Sequence, residues 1–232
     1  MTTEAQTQTT NGAAKTKKES ATRARISTEA AFEITCVNKS ALLMDAMSDE
    51  EIENALIRGV RKPADRDSPL EDMAKRKMYR GPNDEIVLPS QMLFACLRNA
   101  GRKVKVGKSN ISTAKTTELP SILTIEQEYF VLIDPETKKS LTEADMKTDL
   151  RRCMMDAGGK KTAVGNIRPR FNSWGFTVNI SVDYSAMDGL TEAHIRKLFE
   201  IAGNRIGVGS WRPACNGPMG RFRVEDCTVV NG

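Results

Sequence analysis

Ile206-Gly207-Val208-Gly209-Ser210-Trp211-Arg212-Pro213, followed by Gly217-Pro218-Met219-Gly220-Arg221-Phe222-Arg223-Val224, sets four glycines, two prolines, a tryptophan and three arginines in one loop. Before it, Ile195, Leu198, Phe199 and Ala202 recur at helical spacing behind a capping Thr191, with Gly203 at the close. After it, a strand is expected from about Arg221 to Val229. The order helix, loop, strand excludes a dinucleotide fingerprint, which needs the strand first. The ending Gly220-Arg221-Phe222 lacks the Lys-Ser/Thr of a phosphate-binding Walker loop. What remains is a loop where glycine permits close backbone approach and arginine offers a planar fork to phosphate oxygens. A plain glycine-rich turn with scattered surface charge has the same composition.

Working outward, Ala31–Val37 alternates apolar and polar residues and reads as a half-buried strand. Ser48 and Glu51 form a capping box ahead of Ile52, Ala55 and Leu56, with a stop at Gly59. Arg58 to Asp84 reads as a long polar and basic connection. Leu88-Pro89-Ser90 opens a helix with Met92, Leu93, Cys96, Leu97 and Ala100 on one face and Gly101 at its end. Residues 109–119 read as a polar loop and Ile122–Ile133 as one strand. Thr142 is expected to cap a third helix with Met146, Leu150, Cys153 and Met154 inward, stopped at Gly158-Gly159. Val164–Phe171 and Trp174–Val182 read as the arms of a hairpin. The expectation is an α+β chain with a ferredoxin-like or RRM-like βαββαβ core. A basic insertion follows the first strand, and the glycine-rich loop precedes the last. Residues 1–26 are expected to be a disordered polar and basic tail, because they hold almost no large apolar side chain. Residues 27–232 are expected to form a single domain, with insertions at about 38–87 and 134–160.

The chain carries 35 Lys/Arg, 30 Asp/Glu and one histidine, a formal net charge of +5. Residues 58–110 hold 13 Lys/Arg against 6 Asp/Glu, so this middle segment carries the excess. Clustered basicity is the footprint of a polyanion-binding face, although a charge run is more commonly a solvated surface. No apolar run approaches the ~18 residues of a membrane helix, and the first residues lack a signal-peptide core. Five widely spaced cysteines without a Cys-x-x-Cys pair fit a reducing, cytoplasmic setting. One histidine and no ligand-type spacing argue against a zinc site. No cofactor is expected.

Gly207-Val208-Gly209…Gly217…Gly220-Arg221-Phe222 resembles the glycine-rich loop of the RAMP superfamily, the repeat-associated proteins of CRISPR systems. Leu88-Pro89-Ser90-Gln91…Leu97-Arg98 resembles that superfamily's Ile-Pro-Gly-Ser…Leu-Arg helix start, with Gln91 and Met92 departing from it. The resemblance spans roughly residues 30–230. It implies a backbone subunit of a CRISPR effector complex that binds a guide RNA through its backbone. Its partners would be copies of itself along the RNA, other effector subunits and target nucleic acid, with no membrane. The implied RNA contacts are Arg61, Lys62, Arg66, Lys75, Arg76, Lys77 and Arg80 of a thumb- or finger-like insertion, Arg98, Arg102 and Lys103 at a helix end, and Gly207, Gly209, Trp211, Arg212, Gly217, Gly220 and Arg221 of the loop. Arg168 and Arg170 alternate on one strand and join this set as a shared face, with a solvated face as the alternative.

Trp211 is a stacking candidate, with packing over the sheet edge as the more ordinary alternative, whereas Trp174 reads as a core residue. His194 suggests a general acid or base of a RAMP-type ribonuclease, against an ordinary helix histidine. Asp65 and Asp67 resemble metal-holding loop aspartates of backbone subunits that cut target RNA, against ordinary turn aspartates. The expected activity is binding without catalysis. The competing readings are a RAMP-type ribonuclease, a single-stranded DNA-binding or packaging protein of a phage or mobile element, and a structural assembly protein.

Overall fold

The computed structural model describes residues 29–59, 67–157 and 160–230. In chain order the strands and helices are β1 Glu29–Asn38, β2 Leu42–Leu43, α1 Asp49–Ile52, α2 Leu70–Lys75, β3 Val87–Pro89, α3 Ser90–Gly101, β4 Lys105–Val106, β5 Ser109–Asn110, α4 Leu119–Ile122, β6 Leu123–Ile125, β7 Tyr129–Val131, β8 Met146–Ala157, β9 Lys160–Phe171, β10 Gly175–Asp183, α5 Glu192–Ile201 and β11 Phe222–Val230. Short π-helical turns extend α1 at Glu53–Ile57 and α5 at Ala202–Ile206. The expected tail, and Arg61, Lys62, Asp65, Arg66 and Gly158-Gly159, lie outside the described residues.

The main layer is an antiparallel sheet in the order β11-β1-β10-β6. Alternation decides which face is buried. Phe32, Ile34 and Cys36 of β1 and Phe176, Val178, Ile180 and Val182 of β10 point to the core. They meet Leu93, Leu97 and Ala100 of α3 and Ile195, Leu198 and Phe199 of α5 in one hydrophobic cluster. Phe176 anchors that cluster, stacked on Phe130 at 5.3 Å and edge-on to Phe222 at 5.7 Å. The opposite face presents Glu33, Thr35, Thr177, Asn179 and Ser181. No Lys or Arg occurs in β1, β6 or β10, so this face carries no cationic footprint from three of its four strands.

Both long helices form where their apolar periodicity places them, α3 behind Pro89 and α5 behind a capping residue. Thr191 caps α5 with a reciprocal bond to His194. Ser48 and Glu51 cap α1 in the same manner, the Ser48 N–H donating to Glu51 Oε2 at 2.8 Å.

Residues 142–158 are not a helix. Thr142 caps only the 3-10 turn Glu143–Asp145, and Met146–Ala157 is a strand paired along its length with β9. Apolar residues at 146, 150, 153 and 154 imitate a 3.6-residue period. Their burial instead alternates: Asp149 is 8% exposed, whereas Leu150 is 56% and Met154 58%. Val164–Phe171 therefore pairs backwards with β8 and with β2, not forwards with Trp174–Val182, which pairs with β1. The stretch Ile122–Ile133 also divides. α4 ends at Ile122, β6 joins the main sheet, and β7 pairs with β3. The break is the polar run Glu126-Gln127-Glu128, where Gln127 Oε1 accepts the Asn179 N–H at 2.9 Å. The connection Arg58–Asp84 is not all loop, since it contains α2, which lies against β8 and β9.

Cys36 and Cys96 are buried, and burial pushes the Cys96 thiol up to about 12 and the Cys36 thiol higher still. Cys215 is exposed. Near neutral pH iodoacetamide should modify Cys215 first, and Cys36 and Cys96 only through global opening, because the thiolate is the reactive form. Peptide mass mapping of a labelling time course checks this. Equal labelling of Cys96 and Cys215 would contradict the packing.

Candidate nucleic-acid interface

The glycine-rich loop is held by its own backbone and by residues 39–43. Val208 N–H donates to Gly220 O at 2.9 Å, Gly220 N–H to Ala41 O at 2.8 Å, and Ser210 N–H to Leu43 O at 2.7 Å. Gly207, Gly209, Gly217 and Gly220 are all buried. A Cβ on Gly217 would stand 1.8 Å from Trp211 O, and one on Gly220 1.7 Å from Val208 O. Packing within the loop therefore accounts for Gly207, Gly217 and Gly220, and packing against Leu42 and Leu43 accounts for Gly209. Trp211 and Arg221 are exposed on the loop's outer surface, with Arg212 half-buried beside them.

Between the loop and the exposed side of α3 lies a cavity of about 230 Å³. Gln91, Met92, Ala95, Asn99, Gly207 and Arg212 are among its lining residues. Arg212 is fixed at its mouth by a bond from Nη1 to Gly209 O at 2.8 Å. On α3, Gln91, Ala95 and Arg98 are spaced by four and three residues and continue to Arg102 at the helix end, so they share one stripe. That stripe leads from the cavity to Arg98, Arg102 and Lys103, and the adjoining β4–β5 turn adds Lys105 and Lys108. All five cations are exposed. No Asp or Glu occurs between Glu85 and Glu118. Among the described residues, none of these five forms an ion pair.

The other expected cations differ. Lys77 Nζ contacts Asp45 Oδ1 at 3.0 Å, and Arg168 Nε donates to Asp45 Oδ2 at 2.9 Å. Lys75 pairs with Glu71 at 3.0 Å and Glu143 at 3.5 Å, and Arg80 pairs with Asp84 and Glu143. Arg76 donates to Ser68 Oγ at 3.0 Å. Arg170 donates to Asn172 Oδ1 at 2.8 Å. These side chains tie α2 and the insertion to the hairpin. Among the described residues, the basic segment thus divides into a set with partners near the hairpin and a set without ion pairs at the end of α3. Asp45→Ala should destabilise the fold by about 1–3 kcal/mol, because it strands the largely buried Arg168 guanidinium. Urea melts check this, and an unchanged midpoint would show that the pair is only a surface contact.

One constellation had no local sequence signal. Arg151 of β8 lies over the Trp211 ring at 4.4 Å. Its guanidinium is held by Asp149, with Nε at 2.5 Å from Oδ1 and Nη2 at 2.8 Å from Oδ2. This contact joins the hairpin to the loop across 60 residues of chain, and only the correct strand assignment reveals it. Trp174, by contrast, is fully buried and donates from Nε1 to Ser40 O at 2.8 Å.

His194 serves as a cap. Its Nδ1 lies 2.7 Å from Thr191 Oγ1 and accepts the Thr191 N–H at 3.2 Å. Asp67 is exposed ahead of α2. Among the described residues, no cluster of three His, Cys, Asp or Glu side chains is placed to hold a metal ion. Among them too, no helix is long and apolar enough to cross a membrane.

No protein-family model matches the chain, and no curated protein matches it. Among solved structures, it is similar to a chain in the cryo-EM structure of the type III-B Cmr-beta bound to cognate target RNA. The identity is 9% and the TM-score 0.49, covering 88% of this chain and 61% of that one. The chain thus spans about three fifths of the length of that neighbour.

Proposed function

We propose that the chain is a non-enzymatic nucleic-acid-binding protein of RAMP type, holding an RNA strand by its backbone as a repeating subunit of a CRISPR-type ribonucleoprotein. The observation that carries the binding reading is the run of unpaired cations along the exposed stripe of α3, leading from the cavity beside the loop. Phosphates are bound by cations free to exchange their counterions, and Lys75, Lys77 and Arg80 of the insertion are already engaged by carboxylates. The sheet order β11-β1-β10-β6, with α3 and α5 as crossovers, supports a ferredoxin-like core. The quoted glycine-loop and helix-start residues support the RAMP assignment. In this reading the 12-residue arms of β8 and β9 replace the α2 insertion as the projecting element.

Purification without nuclease, followed by RNase or DNase digestion of co-purifying nucleic acid, tests the reading. RNase-sensitive material in assemblies whose size follows the RNA is expected. DNase-sensitive material would replace it with the single-stranded DNA-binding reading. Nucleic-acid-free monomer, indifferent to added RNA at low salt, would overturn both. A ribonuclease reading has less support, because among the described residues no carboxylate or cation is hydrogen-bonded to His194, whose Nδ1 serves as a helix cap.

A further inference from the structure

We infer that Trp211 is a stacking platform for one unpaired base, so the ligand of this surface is a single strand rather than a duplex. This rests on the nucleic-acid reading above and deepens it from backbone contact to base contact. Trp211 is 37% exposed, and it is a non-glycine residue at φ +50°. L residues occupy that region at a cost, so the surrounding structure must hold the side chain where it stands. Two contacts do so. Gly217 packs against the backbone and indole edge of Trp211, leaving no room for a Cβ. The clamped Arg151 guanidinium covers part of the ring.

Arg151 is committed to the Asp149 carboxylate through Nε and Nη2. It acts on the ring, fixing its orientation and lowering the entropy lost when a base settles on the exposed remainder. The neighbouring charge complements a strand. Arg212, one residue along the chain, sits at the mouth of the cavity that opens onto the cationic stripe of α3. A strand that follows this stripe brings a base within reach of the indole. A duplex keeps its bases stacked on one another, so only an unpaired base can use an aromatic face in this manner.

The chain contains two tryptophans, and Trp174 is fully buried, so fluorescence changes on ligand addition report Trp211. Purified full-length protein would be titrated with a short oligoadenylate and with an abasic oligomer of equal phosphate number. Binding would be followed separately by anisotropy of an end label. The expected result is quenching by oligoadenylate and binding without quenching by the abasic strand. Trp211→Ala should weaken oligoadenylate binding roughly 5- to 150-fold and leave abasic binding unchanged. Trp211→Phe, which keeps an aromatic face, should restore most of that affinity and guards against misfolding of the alanine variant. Binding of both oligomers without quenching, or an equal loss for both in Trp211→Ala, would overturn the platform while leaving backbone binding intact. Preference for duplex over single strand would likewise overturn it. Failure of either oligomer to bind at low salt would remove the nucleic-acid reading itself.

Discussion

Gly220→Ala is expected to destabilise the protein by about 3–5 kcal/mol, a large part of the ~5–15 kcal/mol that holds a domain together. The added methyl would lie 1.7 Å from Val208 O and 2.9 Å from Val208 C, both backbone atoms that cannot rotate away. Gly220 also sits at φ +68°, where a Cβ is strained in any surroundings. Relieving the clash means parting two hydrogen bonds, Val208 N–H to Gly220 O and Gly220 N–H to Ala41 O. Each is worth about 1 kcal/mol, and overpacking adds about 1–3. Gly107→Ala is the matched control. Gly107 has φ +57° with nothing within 4 Å of the new methyl, so backbone strain alone applies, about 1 kcal/mol. Urea midpoints at constant slope measure the difference. Equal costs at the two positions would show that residues 206–221 are not packed against residues 39–43.

The second large effect concerns binding. Replacing Arg98, Arg102 and Lys103 together with glutamine should reduce the salt dependence of RNA affinity by a slope of about 2, at about 0.7 per lost phosphate contact. At 0.1 M salt this corresponds to a loss on the order of 100-fold. Stability should change little, because all three side chains are exposed. Replacing Lys75, Lys77 and Arg80 in the same way should do the opposite. Those side chains hold Glu71, Glu143 and Asp45, so the midpoint of unfolding should fall while the salt slope stays nearly constant. Fluorescence anisotropy against salt concentration separates the two triples. A slope carried by Lys75, Lys77 and Arg80 would move the interface to the base of the hairpin.

Most of the main layer was legible in the residues. β1 and β10 alternate cleanly, α3 and α5 each carry an apolar stripe, and α5 is capped by Thr191. These signals are local, so each element announces itself within about ten residues. The region 142–171 was not legible. Thr142 and Asp145 satisfy a capping box that leads into a single 3-10 turn, and Leu150 and Met154 are apolar yet exposed, so the pattern that separates strand from helix is inverted there. The β8–β9 pairing outweighs local preference, and no window of either strand contains that information. The charged residues followed the same division. Composition located the cationic segment, but carboxylates distant in sequence decided which cations remain free. Asp45 reaches Arg168 across 123 residues and Glu143 reaches Arg80 across 63.

By itself the sequence determined an α+β chain, the capped helices α1 and α5, the apolar stripe of α3, the alternation of β1 and β10 and a glycine-rich loop between the last helix and the last strand, because those follow from period and capping over short windows. Only the tertiary structure decided that the loop's glycines are required by packing within the loop and against Leu42 and Leu43, that Arg151 lies on Trp211, and that the described cations at the end of α3 have no ion-pair partner. Each of these depends on which backbone or carboxylate comes to stand a few ångströms away, and that is a property of the folded chain.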